Sequence, residues 1–424
     1  EAPLTLLLQA APPRGVWPAP TALAGVAAHH RRGEAASLGD GEPGVRLETG
    51  VEEMDSGVLW ARAWIRDRLL TVPGAPPGVH APPNPFPAVG GVPAGTGGLG
   101  GPALPGGAAA WFLPGSEAAW LLMGSAASGD WEAGRGALSA LGWDSPRVAL
   151  LSALALARWA AWTGEARPLL EHQARLAGLF APSGLLTGVE PRVAAAVRRA
   201  VEAAGEAGQA TGTAVPVLPD PAAPPATPAP PPPSGGVRRL PVVADRAAHA
   251  GPPLLFLPGR EDVPVDLRLR EALEVREVLG AVAGAPHLLG TGMGAVVLQG
   301  LVAGMLGASP DAGYGRLTLS PLLPPGWRRF RVGGIRTGEG ALGLDYRRDG
   351  GVVRWTLRPQ EGSVPLMVVF EPWQPVTGIG ALRVDGAPAE LDVTEEGGWS
   401  RVRIQIPADG TRVVELEGTT EGRP

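Results

Sequence analysis

Apolar positions recur at two different periods along this chain. Up to about residue 310 they return every three to four residues, the spacing of one helix face; beyond it they alternate, the spacing of strands. "SEAAWLLMGSAASG" (116–129) predicts a helix opened by Ser116 and closed by Gly129. "DWEAGRGALSALG" (130–142) predicts a second, with Asp130 as cap. "SPRVALLSALALARWAAWTG" (145–164) predicts a third, with Pro just inside its start and Gly at its end. "EARPLLEHQARLAGLF" and "EPRVAAAVRRAVEAAGEAG" predict a fourth and a fifth. Short turns between such helices make αα-hairpins. Earlier, "VEEMDSGVLWARAWIRDRLL" (51–70) carries Leu59, Trp60, Ala63 and Trp64 at helical spacing behind an Asp55-Ser56 cap signal. Helices resume in "VDLRLREALEVREVLGAVAG" and "GMGAVVLQGLVAGMLG".

From Arg316 onward, alternation with Gly-rich turns predicts an antiparallel β-sandwich of roughly eight strands. The expected fold class is α+β and multidomain: a helical-hairpin toroid followed by the sandwich. Residues 1–50 form an N-terminal segment, readable as the end of an upstream β-domain plus a linker helix. Residues 51–314 form the helical domain, and 315–424 the β-domain. Two Gly/Pro-rich stretches interrupt the pattern. Val72–Gly107 is a long loop, of the kind that is functional or disordered in compact domains. The insertion 216–236, "PDPAAPPATPAPPPPSGG" at its heart, reads as polyproline II.

Composition narrows the chemistry. The 424 residues are 45% hydrophobic, enough for a large core. All 36 basic residues are arginine, which removes lysine catalysis and P-loop lysines. Scarce asparagine and abundant Ala, Gly and Pro point to a GC-biased, bacterial genome. There is no cysteine, which excludes disulfides and thiolate chemistry. A net charge of −5 with no basic-aromatic tract argues against a nucleic-acid partner. No apolar run approaches the roughly 20 residues of a membrane span. No histidine pairing suggests a metal, and no organic cofactor motif is present. The compartment is open, with an extracytoplasmic or surface location favoured.

Two stretches carry a resemblance. "LQGLVAGMLGASPDAGYGRLTLSPLLPPGWRRFRVGGIRTGEGALGLDYRR" is similar to the junction in six-hairpin (α/α)6 glycosidases of the glycogen-debranching (amylo-α-1,6-glucosidase) and rhamnosidase types. There the last toroid helix runs into "rL.l.P.lP.gW" and a strand carrying "lr.G...l.l.yrr". "WFLPGSEAAWLLMGSAASGDWEAGRGALSAL" resembles the same proteins, whose "W-F-x-G-R-D-a-x-W" segment starts a toroid helix with its Asp facing the sugar. "DSPRVALLSALALARWAAWTGE" resembles a further hairpin of theirs. The likeness covers roughly residues 50–180 and 285–390. This chain departs at Ser116-Glu117, where the family has Arg-Asp. It also lacks the family's His-Glu pair and Trp-Lys-Asp segment.

What the resemblance implies is carbohydrate chemistry. Glycoside hydrolysis needs two carboxyls, about 5–5.5 Å apart for retention and about 6.5–9.5 Å for inversion. Candidate catalytic carboxylates are Glu117, Asp144, Glu190 and Glu261, with Glu117 either a sugar-contacting residue or the catalytic acid. Ordinary uses compete: a cap for Asp144, as for Asp55 and Asp130, a helix-dipole position for Glu117, a helix start for Glu190. Candidate substrate-binding residues are Trp111, Trp120, Trp143 and Asp55, because indole faces stack on pyranose rings. Two readings remain level: a glycoside hydrolase-like protein, or a non-catalytic relative with a structural, surface or assembly role.

Overall fold

The computed structural model describes residues 44–49, 55, 57–59, 61, 62, 65, 116–181, 186, 189, 191–210, 218, 293–323, 327–374, 379–396 and 398–418. All of them belong to one unit, Pro43–Pro424. The predicted helix over 265–284 and, but for Leu218, the proline-rich insertion lie outside the described residues.

Seven α-helices are described: α1 Glu117–Ser128, α2 Trp131–Leu138, α3 Pro146–Thr163, α4 Arg167–Glu171, α5 Gln173–Leu179, α6 Pro191–Ala210 and α7 Met293–Gln299. They form where apolar spacing and breakers dictate. α1 ends because Gly129 takes φ 80°, a left-handed conformation that costs glycine nothing. α3 starts at Ser145, whose Oγ accepts from the Val148 N–H at 3.4 Å, with Pro146 in the first turn. α3 buries nearly its whole circumference, including Leu150, Leu154, Trp159 and Trp162. Its neighbours are α1 on one side and α6 on the other, and α7 packs against α1.

The predicted fourth helix is two. Its spacing is helical throughout, yet His172 at φ −102°, ψ 9° interrupts it and separates α4 from α5. Beyond α7 the chain tightens differently: Gly300–Met305 is π-helical and fully buried. Such an extra residue per turn marks strain or function in a helix. Gln299, at the transition, donates its side-chain amide to the Met123 carbonyl of α1.

Among the described residues, fourteen strands make three sheets. β1 (Arg46–Glu48), β4 (Arg329–Thr337), β5 (Gly340–Asp349), β6 (Val352–Pro359), β14 (Arg412–Gly418), β9 (Ile379–Val384) and β10 (Ala387–Pro388) form the large one, in that order. β13 (Ile404–Ala408), β7 (Leu366–Phe370), β3 (Arg316–Leu319) and β2 (Ser309–Asp311) form the second. β11 (Val393–Glu396), β12 (Trp399–Val402) and β8 (Trp373–Gln374) form the third. All pairings are antiparallel except β3 with β7. Alternation sends Leu342, Leu344, Tyr346, Trp355 and Leu357 of the large sheet inward. One continuous core joins them to Trp120, Leu154 and Trp159 of the helices.

The helices meet the sheet at a tight joint. Residues Arg46–Glu48, which precede every described helix, pair with Gly333–Arg331 of β4. Gly44, at φ 126°, lies where a side chain would overlap the Arg62 guanidinium and the Ser128 carbonyl. Arg336 of β4 donates to the Gly129 carbonyl at 3.1 Å and stands 4.3 Å above the Trp131 ring. The Gly338 N–H donates to the Trp162 carbonyl at the end of α3, at 2.7 Å.

Candidate functional site

The connection between α2 and α3 is short and held from beneath. Ser152 of α3 donates its Oγ to the Gly142 carbonyl at 2.7 Å, and Leu141 is buried. Ser145 takes the helix-capping role, so the neighbouring Asp144 is released from it. The Asp144 side chain is exposed and has no hydrogen-bond or ion-pair partner among the described residues. Across from this turn stands α5, bearing Arg175, Gly178 and Leu179. Between them opens a cleft of about 680 Å³, lined by Trp143, Asp144 and Arg175 among others.

Trp143 organises the cleft. It is half-buried, its ring stacks on His172 at 5.4 Å with planes 27° apart, and the Arg175 guanidinium carbon lies 5.6 Å from its centre. The break between α4 and α5 is what brings His172 against it. Among the described residues the buried Trp143 indole N–H finds no acceptor. Leaving such a donor unpaired costs about 1–3 kcal/mol. Burial first, then the adjacent Arg175 charge, push the His172 pKa below 6.5, against the upward pull of the Leu138 carbonyl it bonds. Both effects favour the neutral form of the imidazole.

The cleft thus combines an aromatic ring, a fork of N–H donors and a free carboxylate. It can hold a polar, partly flat ligand. Among the described residues that line it, Asp144 is the sole carboxylate.

The sequence-predicted residues divide sharply. Trp143 and Asp144 lie together in the cleft. Trp120 does not: it is fully buried in the core between helices, and a ring with no exposed face offers none to a sugar. Asp55 is used elsewhere too. Its Oδ1 accepts from the Thr49 backbone N–H at 2.8 Å and from the Thr49 hydroxyl at 2.9 Å, tying β1 to the helical residues that follow. Glu117 is the first residue of α1, and its side chain lies outside the described residues. So do Glu190, Glu261 and Trp111. His172 and Arg175 were not singled out from the sequence. The signal available was the run "EHQAR" facing the Trp143-Asp144 turn, which reads as an ordinary solvated helix face.

A second polar cluster lies at the joint. Asp130, expected to cap α2, makes no cap bond. Its carboxylate receives both the Nε and one terminal nitrogen of Arg62, each at 2.9 Å, and the Ser128 hydroxyl at 2.9 Å. Arg62 also reaches the Val45 carbonyl at 3.4 Å. Both partners are buried, and every bond is spent within the protein, so the cluster is structural.

Among the described residues no group of three or more His, Asp or Glu could hold a metal ion, and no helix is long and apolar enough to cross a membrane. No family model matches the chain, and no curated protein matches it. Among solved structures, an α-L-rhamnosidase from Dictyoglumus thermophilum superimposes with a TM-score of 0.23 and 12% identity, over 30% of this chain and 14% of that one. The α-L-rhamnosidase of Streptomyces avermitilis, complexed with L-rhamnose, gives 0.28 and 14%, over 64% of this chain and 27% of that one. This chain spans 27% or less of either protein's length. TM-scores this low carry no argument about its fold or activity.

Proposed function

We propose that the protein binds a carbohydrate in the cleft between the α2–α3 turn and α5. The observation that carries this reading is Trp143 lining that cleft beside the unpartnered Asp144 and the exposed Arg175. Aromatic surface and convergent polar groups are what a sugar's C–H face and hydroxyls require. The resemblance to six-hairpin glycosidases supports the same class of ligand. On this reading the helical hairpins belong to an (α/α)6 toroid spanning 51–314, followed by a β-sandwich domain over 315–424.

Hydrolysis is the second reading, and it needs more. A two-carboxylate mechanism pairs Asp144 with a second acid, for which Glu117, Glu190 and Glu261 are the candidates. With Asp144 the lone carboxylate among the described lining residues, binding without turnover is the reading the geometry favours. The test is a screen of neutral oligosaccharides, read both by protein fluorescence and by release of reducing ends. Saturable binding without new reducing ends supports the proposal. Cleavage lost in both Asp144→Asn and Glu117→Gln would replace it with the hydrolase reading. No saturable binding to any neutral glycan would overturn both.

A further inference from the structure

The outer face of the large sheet carries an unusual row. Register places Arg329 of β4 opposite Arg347 of β5, Arg347 opposite Arg354 of β6, Arg354 opposite Glu415 of β14, and Glu415 opposite Arg383 of β9. Five strands therefore present four arginines and one glutamate in a line. Residues directly opposite share a face, and neighbouring strands lie about 4.8 Å apart. Like charges in such positions destabilise a sheet.

The adjoining positions show the ordinary solution. Arg331 and Arg358 share Asp345, at 2.6 and 2.8 Å. Arg354 donates to Glu415 at 2.8 Å, and Arg383 stands 3.7 Å from Glu417. Arg329 and Arg347 have no such partner among the described residues, and both are exposed. Three arginines thus adjoin across β4, β5 and β6 in a chain whose net charge is −5. A sheet built for stability alone would place an acid at position 347. Asp345 and Asp349 flank Arg347 along the same face, but neither pairs with it, and such local conflicts are expected at functional or strained positions.

We infer that this row is a docking surface for a linear polysaccharide bearing carboxylates, a polyuronate. Guanidinium forks bind carboxylates bidentately, and a line of them across a sheet suits a polymer with charge at regular intervals. Nucleic acid fits less well. Single strands need aromatic platforms, and the described outward positions of these strands hold Gly343, Thr356 and Val413 between the charges, with no aromatic residue. The choice of a carbohydrate polymer rests on the carbohydrate reading of the cleft; the anion preference rests on the arginine row alone.

The test uses the full chain and polygalacturonate in affinity electrophoresis. Expected is retardation that fades as salt rises, because exposed charges are screened. Arg347→Glu should weaken it roughly tenfold or more, while raising the melting temperature, since the new acid sits between Arg329 and Arg354. Arg167→Glu, a charge-matched change far from the sheet in sequence and already exposed, should leave retardation nearly unchanged. Equal weakening by both variants reduces the effect to bulk charge and overturns the proposal. So does tighter binding of an oligonucleotide, of dextran sulfate or of phosphatidylserine vesicles. Loss of polygalacturonate binding in Trp143→Ala would place the polymer in the cleft and refute the sheet-face site. Failure of neutral glycans to bind, with the Arg347→Glu effect intact, would refute the cleft and leave the row standing.

Discussion

A carboxylate in front of a helix ordinarily serves the first-turn N–H groups, yet Asp130 spends itself on Arg62 and Ser128. The pair is separated by 68 residues and is almost wholly buried. Breaking a buried ion pair leaves one charge uncompensated, which costs about 3–5 kcal/mol. Asp130→Asn and Arg62→Met are each expected to lower stability by about that much in urea unfolding. The double variant Arg62→Met/Asp130→Leu should cost less than the two singles together, since neither charge remains. Gly44→Ala should also destabilise, by strain at φ 126° and overlap with the same guanidinium. Nothing local in the sequence announces this cluster. Asp130 carries the spacing of a cap, and only the fold shows that Arg62 reaches it first.

Helices were legible because apolar spacing and glycine stops are local. α1 and α3 end at the glycines that pattern alone selects, Gly129 and Gly164. The break inside 165–180 was not legible, because no proline or glycine marks it. His172 leaves the helix where its ring stacks on Trp143, a contact between elements. Strand number was underestimated for a similar reason: two-residue strands such as β8 and β10 exist only through their partners. The half-buried imidazole has a measurable consequence. Its pKa is depressed in the folded protein, so the unfolded chain takes up the proton first, near 6.5. The stability that the neutral ring contributes is present above that value and is lost as pH falls towards the native pKa. Between pH 7.5 and 5.5, His172→Phe should therefore lose less stability than the parent, as read by melting temperature at each pH. An equal pH slope in both would show that the ring is not desolvated.

Among the described residues, ties between helices and sheets include the Val45 N–H on the Ser128 carbonyl, Arg336 on Gly129 and Trp131, and the Gly338 N–H on the Trp162 carbonyl. With one core running through both, denaturant unfolding should be a single transition, with tryptophan fluorescence and far-ultraviolet circular dichroism coinciding. Separate midpoints would mean that the joint is weaker than its contacts. Arg336→Ala should lower the shared midpoint by removing the bond to Gly129 and the ring contact together. The site was half legible at this scale. A Trp-Asp turn before a helix could be found by eye, whereas His172 and Arg175 enter it only through the packing of α5 on that turn. The measurement that bears most directly on the account is calorimetric titration of the parent and of Trp143→Ala with the best neutral oligosaccharide from the screen. If Trp143 forms the wall of a sugar site, the variant stays folded and binds at least about tenfold more weakly. Undiminished affinity in a folded Trp143→Ala protein would contradict the account, because the cleft would then play no part in holding the sugar.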